Sequence, residues 1–182
     1  PKDSFFEKAT IQVKQNGDTL VVGEDSLPLK KPFEINFTIP EMDSLQKAQS
    51  FIGKISQNGK AYFLSTKKED NRWVGKSKSL GEFVVSRDSI APKIVPLNFK
   101  NEQWLSNYSF LKFKIEDDYT GIKSYRGEIN GKWIFLEYEP KNNTLIFDFS
   151  DLDFEQALHE VTIEAEDSVG NKTTFAIDFY RK

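Results

Sequence analysis

Asp117-Asp118-Tyr119-Thr120-Gly121-Ile122-Lys123-Ser124-Tyr125-Arg126-Gly127-Glu128-Ile129-Asn130-Gly131-Lys132-Trp133, answered further on by Glu166-Asp167-Ser168-Val169-Gly170-Asn171-Lys172, is the stretch that decides the fold. Acidic, glycine-bearing turns alternate with runs in which every second residue is apolar, the pattern of half-buried strands. Asn130-Gly131 between two such runs is a hairpin signal. Nothing in either segment assembles a nucleophile with a base, or a phosphate cradle. The reading is of strand pairs from a small β-sandwich.

The same pattern extends in both directions. Thr10–Lys14 alternates and turns at Asn16-Gly17-Asp18 into Thr19–Val22. Lys31–Pro40 alternates Phe, Ile, Phe, Ile between two prolines, which belong at strand ends because they cannot donate to a ladder. Ser50–Ser56 turns at Gln57-Asn58-Gly59-Lys60 into Ala61–Ser65. Asn71–Ser77 and Gly81–Ser86 complete a first set of six or seven strands. A boundary falls at Arg87 to Pro92, where a strand ends and proline fixes an extended join. A second set follows near 94–99, 110–116, 122–129, 132–138, 144–149, 158–166 and 173–180. The fold expected is therefore all-β, two tandem immunoglobulin-like antiparallel β-sandwich domains over 1–89 and 90–182, the first less typical. Helical character is confined to Met42–Ala48 and to a single turn at Phe154–Leu158.

Composition agrees and excludes several functions. The 182 residues include 16 Phe, 6 Tyr and 3 Trp against one Met, which suits pleated surfaces. The 25 Lys and Arg are interspersed among 28 Asp and Glu, net −3, so no basic face offers itself to nucleic acid or to anionic lipid. With no cysteine, neither a disulfide nor a thiolate metal site exists. No apolar stretch is long enough to span a membrane as a helix. The first residues lack a signal-peptide pattern, and the absence of Met at position 1 suggests a mature or truncated product.

His159 is the single histidine, whereas a hydrolytic zinc site draws on several imidazoles. No Gly-x-Ser-x-Gly elbow is present, so catalysis by this chain is not expected. Asp117, Asp118, Asp167 and Asn171 lie in two turns that a sandwich could bring to one end, where their oxygens could serve Ca²⁺, which takes about six to eight. The same residues are the usual caps of tight turns. Of Trp73, Trp104 and Trp133, two are expected in the core, leaving Trp104, in the polar run Asn101-Glu102-Gln103-Trp104, as the exposed ring a sugar or partner would meet. Lys67-Lys68 and Lys76-Ser77-Lys78 read as guards of sheet edges. Asn-x-Ser/Thr sequons begin at Asn36, Asn107, Asn142 and Asn171. Asp-Ser/Thr-aliphatic triplets such as Asp25-Ser26-Leu27 and Asp43-Ser44-Leu45 resemble an O-glycosylation acceptor motif of exported Bacteroides-type proteins, and are equally ordinary turn chemistry.

Asp118–Gly127, Ile129–Ile134, Glu137–Asn142 and Glu166–Asn171 together resemble the C-terminal immunoglobulin-like region of Bacteroidetes zinc peptidoglycan endopeptidases of the lysostaphin/LytM type. Ala61–Ser65, Leu80–Phe83, Asp88 and Pro92 extend the likeness into the first half. The catalytic domain of that family holds zinc through histidine and aspartate and carries a His-x-His segment, which this chain lacks. The resemblance implies a non-catalytic accessory region of an exported, periplasmic or cell-surface hydrolase. Its implied partners are peptidoglycan or the cognate catalytic domain. A surface glycan-binding or adhesion module and a structural spacer are the alternatives.

Overall fold

Most of the alternating runs form strands in the computed structural model, which describes residues 4–182; residues 10–12 and 97–99 do not. The chain divides into two compact units, one ending at Ser89 and the other running Ile90–Lys182. Each unit is a β-sandwich of mainly antiparallel strands, and the class is all-β. Among the described residues no helix is long and apolar enough to cross a membrane.

In the first unit the strands are β1 (Val13–Asn16), β2 (Thr19–Val22), β3 (Pro28–Thr38), β4 (Ser50–Ile55), β5 (Ala61–Leu64), β6 (Thr66–Glu69), β7 (Arg72–Ser79) and β8 (Gly81–Arg87). They form one sheet in the order β1-β2-β8-β4-β5 and another in the order β3-β7-β6. Trp73, Ile52 and Ile39 are buried together, with Phe37, Met42, Leu64 and Val85 packed against them. Phe33 meets Phe83 edge-on at 5.8 Å.

Three features depart from the sequence reading. Pro32 does not begin a strand; it lies inside β3, in an irregularity where pairing jumps from Pro28↔Ser79 to Phe33↔Ser77. A residue that cannot donate is tolerated there because the ladder is already interrupted. β6, absent from the strands read from the sequence, forms where the chain changes sheets after Leu64. Thr66 stitches that crossing, its hydroxyl accepting from Ile52 N at 2.9 Å and donating to Leu64 O at 2.7 Å. The lysines expected to guard edges divide by strand. Lys67 is exposed on the edge strand β6, whereas Lys76 and Lys78 lie on β7, central in its sheet, and guard nothing. Lys68 serves the helix α1 (Ser44–Gln49) instead. Its ammonium donates to Lys47 O and Ala48 O near the helix end and lies 5.1 Å from the Trp73 ring. Burial, then the nearby Lys47, lowers its pKa from the usual lysine range. The helix starts with a capping box, Asp43 accepting from Gln46 N at 2.7 Å.

The second unit comprises β9 (Lys93–Pro96), β10 (Gln103–Trp104), β11 (Phe110–Glu116), β12 (Ile122–Ile129), β13 (Lys132–Ile134), β14 (Glu137–Glu139), β15 (Thr144–Asp148), β16 (Leu158–Asp167) and β17 (Lys172–Tyr180). Its sheets run β10-β17-β16-β12-β13 and β14-β15-β11-β9, with β10 parallel to β17. The core between them includes Leu105, Leu111, Phe113, Ile115, Leu145, Phe147, Val161, Ile163 and Phe179. The helical turn expected at Phe154–Leu158 is absent; a 3-10 turn occupies Phe149–Asp151 instead, capped by Asp148.

Asn130 and Gly131, both at positive φ (52° and 74°), close the β12–β13 hairpin as its sequence predicts. The expected single strand 132–138 is two, because the chain passes between sheets at Phe135-Leu136. Leu136 then fills the space over Gly127: a Cβ built there would sit 2.5 Å from Leu136 Cδ1. Gly127→Ala should therefore destabilise the chain by about 1–3 kcal/mol in urea unfolding, the cost of overpacking. A stabilisation of roughly 0.5 kcal/mol, the usual gain from removing a strand glycine, would contradict this crossover geometry.

Candidate functional site

The outward face of the second unit's five-stranded sheet gathers chemistry from strands far apart in sequence. Alternation on β16 sorts it cleanly: His159, Val161, Ile163, Ala165 and Asp167 are buried, while Leu158, Glu160, Thr162, Glu164 and Glu166 face out. Register sets β17 partners beside them, Tyr180 opposite Leu158, Asp178 opposite Glu160, and Thr174 opposite Glu164. β10 adds Trp104 alongside Tyr180. Their rings stack at 5.2 Å with 24° between planes. Trp104 remains 58% exposed and Leu158 48%, so the row presents one broad apolar surface. At the other end of the face Lys123 and Lys172 reach Glu166 at 2.7 and 3.2 Å. Their hydrogen bonds hold its carboxyl below the ordinary range.

Two-residue β10 is too short to hold itself, and its neighbours show how Trp104 is fixed. Leu105 is fully buried and its N–H donates to Tyr180 O at 2.7 Å. Glu102 N donates to Asp178 O at 2.8 Å. Arg181 donates from Nη1 to Leu105 O at 2.6 Å and to Tyr108 O at 2.8 Å. Its guanidinium lies 3.9 Å from the centre of the Phe149 ring. Burial lowers the Arg181 pKa from its ordinary value. Trp104 is thus an exposed ring on a fixed mount.

Trp133 corrects the expectation that two tryptophans are core. Trp73 is fully buried, but Trp133 is 56% exposed on β13, and Phe135 is 60% exposed beside it. The strand period explains the difference: Ile134 takes the inward position, which turns its two neighbours out.

His159 is 3% exposed and both its ring nitrogens are committed. Asn130 Oδ1 accepts from Glu160 N at 2.9 Å, so its amide nitrogen donates to His159 Nδ1, also at 2.9 Å. Nε2 then carries the proton and donates to Gln156 O at 2.8 Å. The ring packs against Phe154 and Phe179 at 4.8 and 5.3 Å. This tautomer leaves neither a lone pair for a metal nor a base for catalysis.

Of the four oxygen-bearing residues expected near calcium, Asp117 and Asp167 cap turns. Asp117 Oδ1 accepts from the N–H groups of Tyr119, Thr120 and Gly121 at 3.2, 2.8 and 2.6 Å. Asp167, fully buried, accepts from Val169 N and Asn171 N, both at 2.9 Å, and from Asn171 Nδ2 at 2.6 Å. Asp118 is exposed and accepts none of these hydrogen bonds. The backbone N–H bonds that Asp117 and Asp167 accept are those of turn caps.

No protein-family model and no curated protein matches the chain. Among solved structures, the endo-beta-1,4-mannanase from Thermotoga petrophila is similar at a TM-score of 0.42 and 10% identity, over 52% of this chain and 20% of that one. The fibronectin(III)-like modules of Clostridium thermocellum CbhA are similar at 0.39 and 11%, over 82% and 85%. The Clostridium perfringens spore cortex lytic enzyme SleM is similar at 0.33 and 18%, over 64% and 37%. This chain spans only a minor part of the mannanase and of SleM, and at these values none of the three bears on function.

Removing the Asp167 cap tests the structural role of these turns. Asp167→Ala removes the acceptor of three hydrogen bonds and should cost about 2–3 kcal/mol in urea unfolding, with Asp167→Asn losing less because it keeps an acceptor.

Proposed function

We propose that this chain is a non-catalytic accessory region of an exported peptidoglycan hydrolase of the zinc endopeptidase class, which it positions by holding the cell-wall polymer. The observation that carries this reading is the Trp104–Tyr180–Leu158 row, an exposed aromatic surface on a fixed strand. Flat rings pack on the apolar faces of sugars, and the threonines and carboxylates beside the row supply hydrogen-bonding groups for the polymer's polar edges. The second unit's likeness to the C-terminal region of such hydrolases supports the assignment. One histidine, with both nitrogens engaged, and no cysteine argue that the chemistry belongs to another domain.

A second reading has its own observation. Trp133 and Phe135 stand exposed at the edge strand β13, a place where a partner protein's strand can add to the sheet. Docking to the cognate catalytic domain would use that edge, and Trp133→Ala would weaken it without touching polymer binding.

Co-sedimentation with insoluble peptidoglycan tests the main reading. The chain should pellet with the polymer, Trp104→Ala should weaken binding by about tenfold, on the scale of one lost aromatic contact, and added zinc should release no muropeptides. Absence of binding, or zinc-dependent release, would overturn it.

A further inference from the structure

The first unit carries a groove of about 1080 Å³ beside the β4–β5 hairpin, remote in sequence from Trp104. Tyr62, on the edge strand β5, lines it and is 55% exposed, with no ring stacked on it among the described residues. Register places Tyr62 opposite Lys54, and Lys54 opposite Phe83. Lys54 is pinned: its ammonium donates to Asp25 Oδ1 at 2.6 Å and to Ser79 Oγ at 2.7 Å, and its side chain is only 19% exposed. It lies across Gly81, whose φ is +129° and where a Cβ would sit 3.1 Å from Lys54 Cε. The floor of the groove is therefore held in place before anything binds.

The hairpin tip supplies fixed polar groups. Ser56 N donates to Lys60 O and Gly59 N to Ser56 O, both at 2.9 Å. Asn58 Oδ1 accepts from Lys60 N at 3.2 Å, which leaves the amide nitrogen of Asn58 as a donor to the groove. Gln57 is exposed and offers both a donor and an acceptor, and Glu82 is exposed across the groove as an acceptor.

We infer that this groove is a second binding site, for a neutral saccharide. A sugar ring has an apolar face and an edge of hydroxyls that both donate and accept. Tyr62 fits the first, and the Gln57–Asn58 amides with Glu82 fit the second. Charge narrows the class. Asp25 already offsets Lys54, so Glu24 and Glu82 leave the groove acidic, which disfavours uronic acids and phosphorylated glycans. The inference shares its ligand class with the proposed function but rests on different residues in the other unit.

The test uses the full chain carrying Trp104→Ala, which silences the outer sheet face. Neutral trisaccharides of glucose, N-acetylglucosamine, mannose and xylose, and an acidic control, trigalacturonate, are titrated while backbone amide NMR shifts are followed. At least one neutral sugar should shift amides across 54–62 and at Glu82, trigalacturonate should not, and adding Tyr62→Ser or Gln57→Ala should raise Kd about fivefold or more. Both substituted residues are exposed, so folding is kept. No shifts with any neutral sugar, shifts confined to other residues, or equal binding of trigalacturonate would overturn the inference. Groove binding that persists while the unsubstituted chain fails to pellet with peptidoglycan would overturn only the proposed function.

Discussion

Closure of two sheets without a covalent cross-link is the constraint on which both units depend. A disulfide would supply about 2–4 kcal/mol, and this chain has no cysteine. Buried aromatics supply that instead, at roughly 1.5–3 kcal/mol for each fully buried side chain. In the second unit Phe113, Phe147 and Phe179 are at most 1% exposed, and Phe99, Phe149, Phe154 and Phe175 meet them edge-on or tilted. In the first unit Trp73, Phe51 and Phe83 are fully buried. Among the described residues the Trp73 indole N–H finds no partner, a local cost accepted for the volume its ring fills.

That core also places the proposed binding face. Phe149 packs under the Arg181 guanidinium, and Arg181 holds the carbonyls of Leu105 and Tyr108. Through those bonds a two-residue strand is held against β17, and Trp104 is set over Tyr180. An exposed ring mounted this way loses little conformational entropy on binding, which favours affinity from a small contact.

Much of the fold is legible in the sequence because period-2 alternation is a local signal. The hairpins at Gly17, Asn58-Gly59 and Asn130-Gly131 carry their turn chemistry in adjacent residues, and all three form. What stays illegible depends on which sheet a segment joins. Thr66–Glu69 is polar and charged, and becomes a strand only because β7 offers it an edge. Ile134 and Leu136 have the spacing of one strand, yet the chain crosses between sheets between them. The site divides likewise. Trp104 stands out by its polar surroundings, whereas Tyr180 and Leu158 join it only through a register that no local pattern encodes. Trp133 misleads because a tryptophan suggests burial, while its position beside inward Ile134 turns it out. The aspartates suit both caps and calcium ligands by residue type, and the hydrogen bonds they accept account for the first role.

The proposed binding role depends on one surface, the outer face carrying Trp104, Tyr180 and Leu158. Amide hydrogen exchange of the full chain, with and without soluble peptidoglycan fragments, tests it most directly. Slowed exchange concentrated at residues 103–105, 158–162 and 176–180 is the predicted result. Unchanged exchange there, with protection along β13 or nowhere, would contradict it.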